Sequence, residues 1–254
     1  MLDDWIEALE KRHLANLTRS EVTRALRALS SCYVERRDRL SAGAALEGAG
    51  KRAAFALFYG PLHFLTITEI LEASRLSSVA LDAIFDLGCG TGVGGAAWAL
   101  ASGRGASVLG FDRSPWAVAE ANWTYRELGV QGRAVRADVG SVTLDTPTLA
   151  RASRVGLMLA YAVNELLDEP REELLTAVKS AVAAGAQLLI VEPIATRLGN
   201  TRWWDAWRQA LAPAGVKEDE WRFPATLPDA VRDLAKGAGL RPRELTARTL
   251  STRR

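Results

Sequence analysis

The sequence predicts an α/β fold, a mostly parallel sheet with helices on its faces, preceded by an all-helical extension. Three observations carry the prediction. From about Ala80 onward, short apolar runs alternate with stretches of helical spacing, the mark of a parallel sheet. The first run, Leu81–Leu87, leads into a glycine-rich turn with five glycines in the eight residues 88–95, and Ala96–Leu100 then reads as helix. Finally, an acid stands at the end of each of the first three strands: Asp86, Asp112 and Asp138.

The elements follow in order. Leu2, Trp5, Ile6, Leu9 and Leu17 recur at helical spacing over residues 2–17. Thr18-Arg19-Ser20-Glu21 has the form of a capping box that opens a second helix reaching to about Leu40. Ser41-Ala42-Gly43 and Gly48-Ala49-Gly50 break the pattern. Lys51–Tyr59 reads as helix, Gly60-Pro61 interrupts it, and Leu62–Ala73 resumes it. Residues 1–78 are therefore expected as a helical extension and residues 79–254 as the α/β domain. Within the latter, strands are expected at 81–87, 106–111, 133–137, 154–160, 187–191 and 244–250. Helices are expected at 116–128, 170–183, 200–211 and 227–238. Ser114-Pro115 opens the first of these, with proline where its missing N–H is harmless.

A chain of 254 residues can bury a sizeable core. The 32 basic and 30 acidic residues leave a net charge of +2, which demands no polyanionic partner. Lys11–Arg52 is the exception: ten lysines and arginines face four acids. This is read either as a solvated face or as a nucleic-acid footprint. Two cysteines, Cys32 and Cys89, support no disulfide framework and no four-ligand zinc site. With only His13 and His63 as histidines, no metal site is expected. A cytoplasmic setting is expected, and neither a signal peptide nor an apolar run of membrane-spanning length is read in the sequence.

The glycine turn carries the functional signal. Gly90, Gly92 and Gly95 fit G-x-G-x-x-G, a weak pattern alone. Asp86 changes the reading, because a turn built to hold a pyrophosphate gains nothing from a carboxylate beside it. Asp112 lies 20 residues after Gly92, the spacing at which an acid accepts from a ribose diol.

With Gly88, Gly90 and Gly92 behind Asp86, the D-x-G-x-G-x-G stretch resembles the first motif of class I S-adenosylmethionine (SAM) methyltransferases, whose fold is Rossmann-like. The resemblance covers residues 81–193. It implies SAM as cofactor, with Asp86, Gly88, Cys89, Gly90, Thr91 and Gly92 around the methionine end. Asp112 and Arg113 would then lie at the ribose, Trp116 over the adenine, and Asp138 and the Val139 N–H at the adenine edge. The structural alternatives are helix capping for the acids and core packing for Trp116. This fold usually has a seventh, antiparallel strand, and none is evident after Leu250.

A narrower resemblance lies in Ala160-Tyr161-Ala162-Val163-Asn164-Glu165-Leu166, Val191–Gly199, Leu29–Tyr33 and Arg52–Tyr59. These stretches are similar to methyltransferase-like proteins of the mitochondrial and bacterial small ribosomal subunit. Many members hold a four-cysteine iron–sulfur cluster, which this chain, with no cysteine after Cys89, does not build.

The acceptor is expected beyond the fourth strand. There Tyr161, Asn164 and Glu165 are the expected catalytic residues, with Tyr161 also expected against the cofactor: Asn164 would orient the acceptor and Glu165 would take a proton, the alternatives being a helix cap for Asn164 and a surface or hinge-supporting acid for Glu165. Glu192, before Pro193, ends the fifth strand and is read either as facing the edge of the site or as a turn-stabilising acid. Trp203, Trp204 and Trp207 are read as core packing, with an aromatic platform as the alternative, and His63 as a packed histidine or a cover over the site. The function expected is SAM-dependent methyl transfer to ribosomal RNA of the small subunit. The alternatives are a small-molecule or peptide acceptor, or an inactive ribosome-assembly protein.

Overall fold

A computed structural model describes residues 1–35, 46–103, 105–141, 153–194 and 202–252. The far end of the second expected helix, the Ser41–Gly43 break, Arg36, Arg37, Arg39, Ala195–Gly199 and the start of the tryptophan-rich helix lie outside these residues.

The chain divides into two compact units, Met1–Leu65 with Phe223–Leu245, and Thr66–Arg222 with Thr246–Arg254. The division thus runs at 65/66 rather than at 78/79, and a C-terminal stretch joins the helical unit.

In the first unit, α1 (Leu2–His13) buries Trp5, Ile6 and Leu9. α2 (Arg19–Glu35) opens with the expected capping box: Thr18 Oγ1 accepts from the Glu21 N–H at 3.2 Å, and Glu21 Oε2 accepts from the Thr18 N–H at 2.7 Å. Gly60-Pro61 does not interrupt the next helix. α3 (Ala49–Ala54) passes through a π turn, Phe55–Tyr59, straight into α4 (Gly60–Ala73). A proline ring clashes with the carbonyl four residues back, and the wider π turn, with the Gly60 N–H on the Phe55 carbonyl, relieves that clash.

By length and composition this 25-residue helix could cross a membrane, contrary to the sequence expectation, with 61% of its most apolar window buried inside the protein. His63 packs against the rings of Phe55 and Tyr59, and burial holds its pKa down to about 3.

The second unit is built on a seven-stranded sheet of order β3-β2-β1-β4-β5-β7-β6. The strands are β1 (Ala83–Leu87), β2 (Ser107–Asp112), β3 (Gly132–Arg136), β4 (Val155–Ala160), β5 (Gln187–Glu192), β6 (Lys217–Pro224) and β7 (Glu244–Ser251). β1 to β5 pair in parallel, and β7 runs antiparallel to β5. The strand count is corrected to seven: the expected sixth strand is β7, and the missing one is β6. Its run Lys217-Glu218-Asp219-Glu220 hides it, since an edge strand tolerates charge on its open side and shows no apolar period.

The helices of this unit are α5 (Val93–Ala101), α6 (Pro115–Glu127), α7 (Asp168–Ala183) and α8 (Arg202–Leu211). α9 (Asp229–Gly237) belongs to the first unit, where Arg27 donates to the Gly237 carbonyl at 3.0 Å, a cation at a helix C-terminus.

Alternation along the central strands sorts the core. Phe85, Leu157, Leu159, Leu188 and Ile190 meet α7 and α8, where Trp203, Trp204 and Trp207 are all buried. The other face carries Asp86 and Met158 beneath the start of α5.

One side chain, unnoticed in the sequence, ties these parts together. Tyr125 on α6 is fully buried, and a Cβ on Gly92, Gly110 or Gly132 would stand within 2.8, 2.7 or 2.5 Å of it. Gly132→Ala is therefore expected to lower stability by about 1–3 kcal/mol in a urea melt. An unchanged midpoint would show that α6 can move away.

Candidate active site

Strand order reverses between β1 and β4, and in an open parallel sheet that crevice holds the ligand. Three strand-end loops converge there. A Cβ on Gly88 would lie 2.5 Å from Ala162 Cβ, so the glycine turn after β1 touches the loop after β4. Val139, past the end of β3, comes within 3.9 Å of the same point.

The turn is fastened on three sides. Gly88 and Cys89 N–H both donate to the Phe111 carbonyl at 2.9 Å. Gly90 N–H donates to Asp112 Oδ2 at 3.0 Å, and Gly95 N–H to Asp86 Oδ2 at 2.8 Å. Gly88, Gly90 and Gly92 take φ of 74°, 52° and 80°, which glycine adopts at no steric cost.

Asp86 is 1% exposed, so it anchors the turn from beneath. Burial pushes its pKa up to about 7, against the Gly95 hydrogen bond and with help from the charge of Asp112. Cys89 is a buried free thiol whose Sγ would stand 2.9 Å from a Cβ on Gly110; burial raises its pKa. Its side chain faces the core and its N–H is already engaged. Asp112 is half-buried, and its Oδ1 also accepts from the Ser114 N–H at 2.8 Å. Burial raises its pKa against those two amides. A carboxylate offers about four acceptor positions, so two are left for a ligand.

Asp138 is exposed and its Oδ1 accepts from the Gly140 N–H at 3.0 Å. Arg113 is exposed and Trp116 half-buried in the first turn of α6, with Ser114 Oγ capping that helix at the Ala117 N–H.

The residues present fit an adenosine-bearing cofactor. Nothing lies within 4 Å of where a Gly90 Cβ would stand, which leaves an open cradle over the turn. Thr91 is 4% exposed, and its hydroxyl has no hydrogen-bond partner among the described residues. The first N–H groups of α5 point out of the helix beside it.

Across the crevice, Tyr161 follows β4 with φ 57°, a left-handed conformation that costs a non-glycine residue about 1–3 kcal/mol and marks functional loops. Its N–H donates to the Val191 carbonyl at 2.8 Å. Burial and the charge of Glu192 raise the phenol pKa, against a hydrogen bond to Thr66, so the phenol stays protonated.

Asn164 lies in a short 3-10 turn, Val163–Glu165; its N–H donates to Glu192 Oε1 at 3.2 Å, and its Oδ1 is buried with no hydrogen-bond partner among the described residues. The structure thus brings Tyr161 and Asn164 together through Glu192, while the Glu165 side chain is exposed. Parallel pairing of β4 with β5 accounts for this, since it aligns the two strand ends; sequence spacing alone does not reveal it.

Arg171 also escaped the sequence reading. It is 8% exposed, and its guanidinium donates to the carbonyls of Val163 and Leu166 and to Asp168.

Residues 84–185 match the family model of the methyltransferase domain. The chain is 27% identical over 194 residues to trans-aconitate 2-methyltransferase of Methylobacterium nodulans, covering 66% of this chain and 72% of that protein. Among solved structures, an inferred O-methyltransferase of Nostoc punctiforme aligns with a TM-score of 0.50 at 14% identity, over 78% of this chain and 59% of that one. A TehB-like SAM-dependent methyltransferase of Corynebacterium glutamicum aligns with a TM-score of 0.45 at 18% identity, over 74% and 88%.

Proposed function

We propose that the protein, as a SAM-dependent methyltransferase, methylates a small carboxylic acid held at the end of β4 by Tyr161 and Asn164. The contact between Gly88 and Ala162 carries the proposal, since it sets the β4 loop against the cofactor turn. SAM supplies an electrophilic methyl group on a sulfonium when bound. Asp112 and the Asp138 turn would hold its adenosine, and the glycine turn its methionine end. The chain's task is then alignment of acceptor and methyl, which can contribute much of the rate.

A base is needed only for an acceptor that must lose a proton. Glu192 is fully buried on the Asn164 N–H, Glu165 is exposed, and Tyr161 stays protonated. A carboxylate is already a nucleophile and suits such a site. The relative that acts on trans-aconitate, itself a polycarboxylate, supports this reading.

Ribosomal RNA of the small subunit is the second reading, favoured by the basic run from Lys11 to Arg52. Several of those cations already have intramolecular partners: Lys11 on Glu7, Arg19 on Glu10, Arg27 on the Gly237 carbonyl and Arg52 on the Leu46 carbonyl. The reading extends to a reducing, cytoplasmic setting, in keeping with the free thiol of Cys89.

SAM carrying a labelled methyl group, offered to trans-aconitate, related di- and tricarboxylates, free RNA and small ribosomal subunits, tests the proposal. Label is expected in an alkali-labile ester of low mass. Label in RNA alone would establish the second reading and sink the first.

A further inference from the structure

Arg171 stands where neither helix stability nor solvation favours it. It is the fourth residue of α7, at the end where the helix dipole is positive and a cation is disfavoured. It is also 8% exposed, and a buried guanidinium needs its donors matched.

The matches lie on the loop after β4. Nε donates to the Val163 carbonyl at 3.2 Å, Nη2 to the Leu166 carbonyl, and Nη1 to Asp168 at 2.9 Å. The guanidinium lies 5.4 Å from the ring centre of Trp203, which closes it off on one face. Both carbonyls bracket the short turn that carries Asn164, and that turn begins two residues after the strained Tyr161. On its other side the turn is tied by the Asn164 N–H to Glu192, whose register partner on β7 is Arg248. Arg248 in turn lies 4.0 Å over the ring of Trp204.

We infer that Arg171 is a positioning residue for methyl transfer: it clamps Val163 and Leu166 so that Tyr161 and Asn164 keep the geometry that presents the acceptor. The inference rests on the reading that this loop carries the acceptor. A planar fork reaches two carbonyls at once, which a lysine ammonium does not. A strained backbone persists only where its surroundings over-determine it, and Arg171 and Glu192 provide that from two sides.

The test uses the full chain with Arg171→Met and Arg171→Lys. Label transfer from SAM to the low-mass fraction of a bacterial lysate is expected to fall by about 10²-fold in Arg171→Met, the loss typical of a displaced reacting group, and by less in Arg171→Lys. SAM affinity by calorimetry should stay within about threefold, because the glycine turn, Asp112 and Asp138 are untouched. Hydrogen exchange at residues 164–166 should accelerate about tenfold, with β1 and α5 unchanged.

Transfer within about threefold of wild type in Arg171→Met overturns the inference. So does SAM affinity lost in step with rate, which would mean a general structural role. If the wild-type protein labels nothing in that fraction, the small-molecule reading fails, and the exchange measurement still decides the clamp. If Arg171→Met does not fold, Arg171→Lys carries both measurements.

Discussion

Asp112→Ala is expected to weaken SAM binding by about 10²-fold or more, measured by calorimetry at constant pH. The carboxylate holds the Gly90 N–H at 3.0 Å and the Ser114 N–H at 2.8 Å, and it keeps acceptor capacity for a ribose diol. Hydrogen bonds to a charged group contribute about 1.5–3 kcal/mol each, so losing the ribose contacts and loosening the turn together readily reach 10²-fold. Asp112→Asn retains an oxygen for one amide and should lose less. NAD should bind neither protein. If Asp112→Ala binds SAM within about threefold of wild type, the adenosine lies elsewhere and the assignment of the crevice fails.

Asp86→Asn should move stability and ligand affinity in opposite directions. The folded-state pKa of Asp86, about 7, lies above the ordinary 3.8. Below pH 4 the acid is protonated in both states and has no net effect on pH dependence. Between pH 4 and 7 the folded state binds the extra proton, so this group's contribution to stability is lost as pH rises through about 7. A shift of about three units corresponds to at most about 4 kcal/mol. Asparagine keeps an oxygen for the Gly95 N–H without the buried charge. The stability of Asp86→Asn minus that of wild type, from urea melts, should therefore grow between pH 4 and pH 8.

SAM affinity should respond the other way. A carboxylate attracts a sulfonium and a neutral acid does not, so wild-type affinity should rise from pH 6 to pH 8 while the variant stays flat. A wild-type affinity indifferent to pH would mean that Asp86 serves the turn alone.

The sequence by itself determined what depends on neighbours along the chain. The glycine turn was legible because five glycines in eight residues have few other uses, and φ near 50–80° at Gly88, Gly90 and Gly92 is the backbone such a run permits. The caps at Thr18 and Ser114 were legible because a cap is a local bond between residues three apart. The apolar strands β1, β4 and β5 announced themselves by composition.

Tertiary structure decided the rest. β6 exists because a neighbouring strand completes its hydrogen bonds, which lets its residues remain charged. The helix runs on past Gly60-Pro61 because a π turn absorbs the proline. Glu192 reaches the Asn164 N–H because strand pairing brings together residues 28 apart in sequence. Arg171 grips a loop against its own helix dipole, a contact no propensity foretells. Local bonds are written in short runs of sequence, whereas the alignment of separate strands is settled only when the sheet forms.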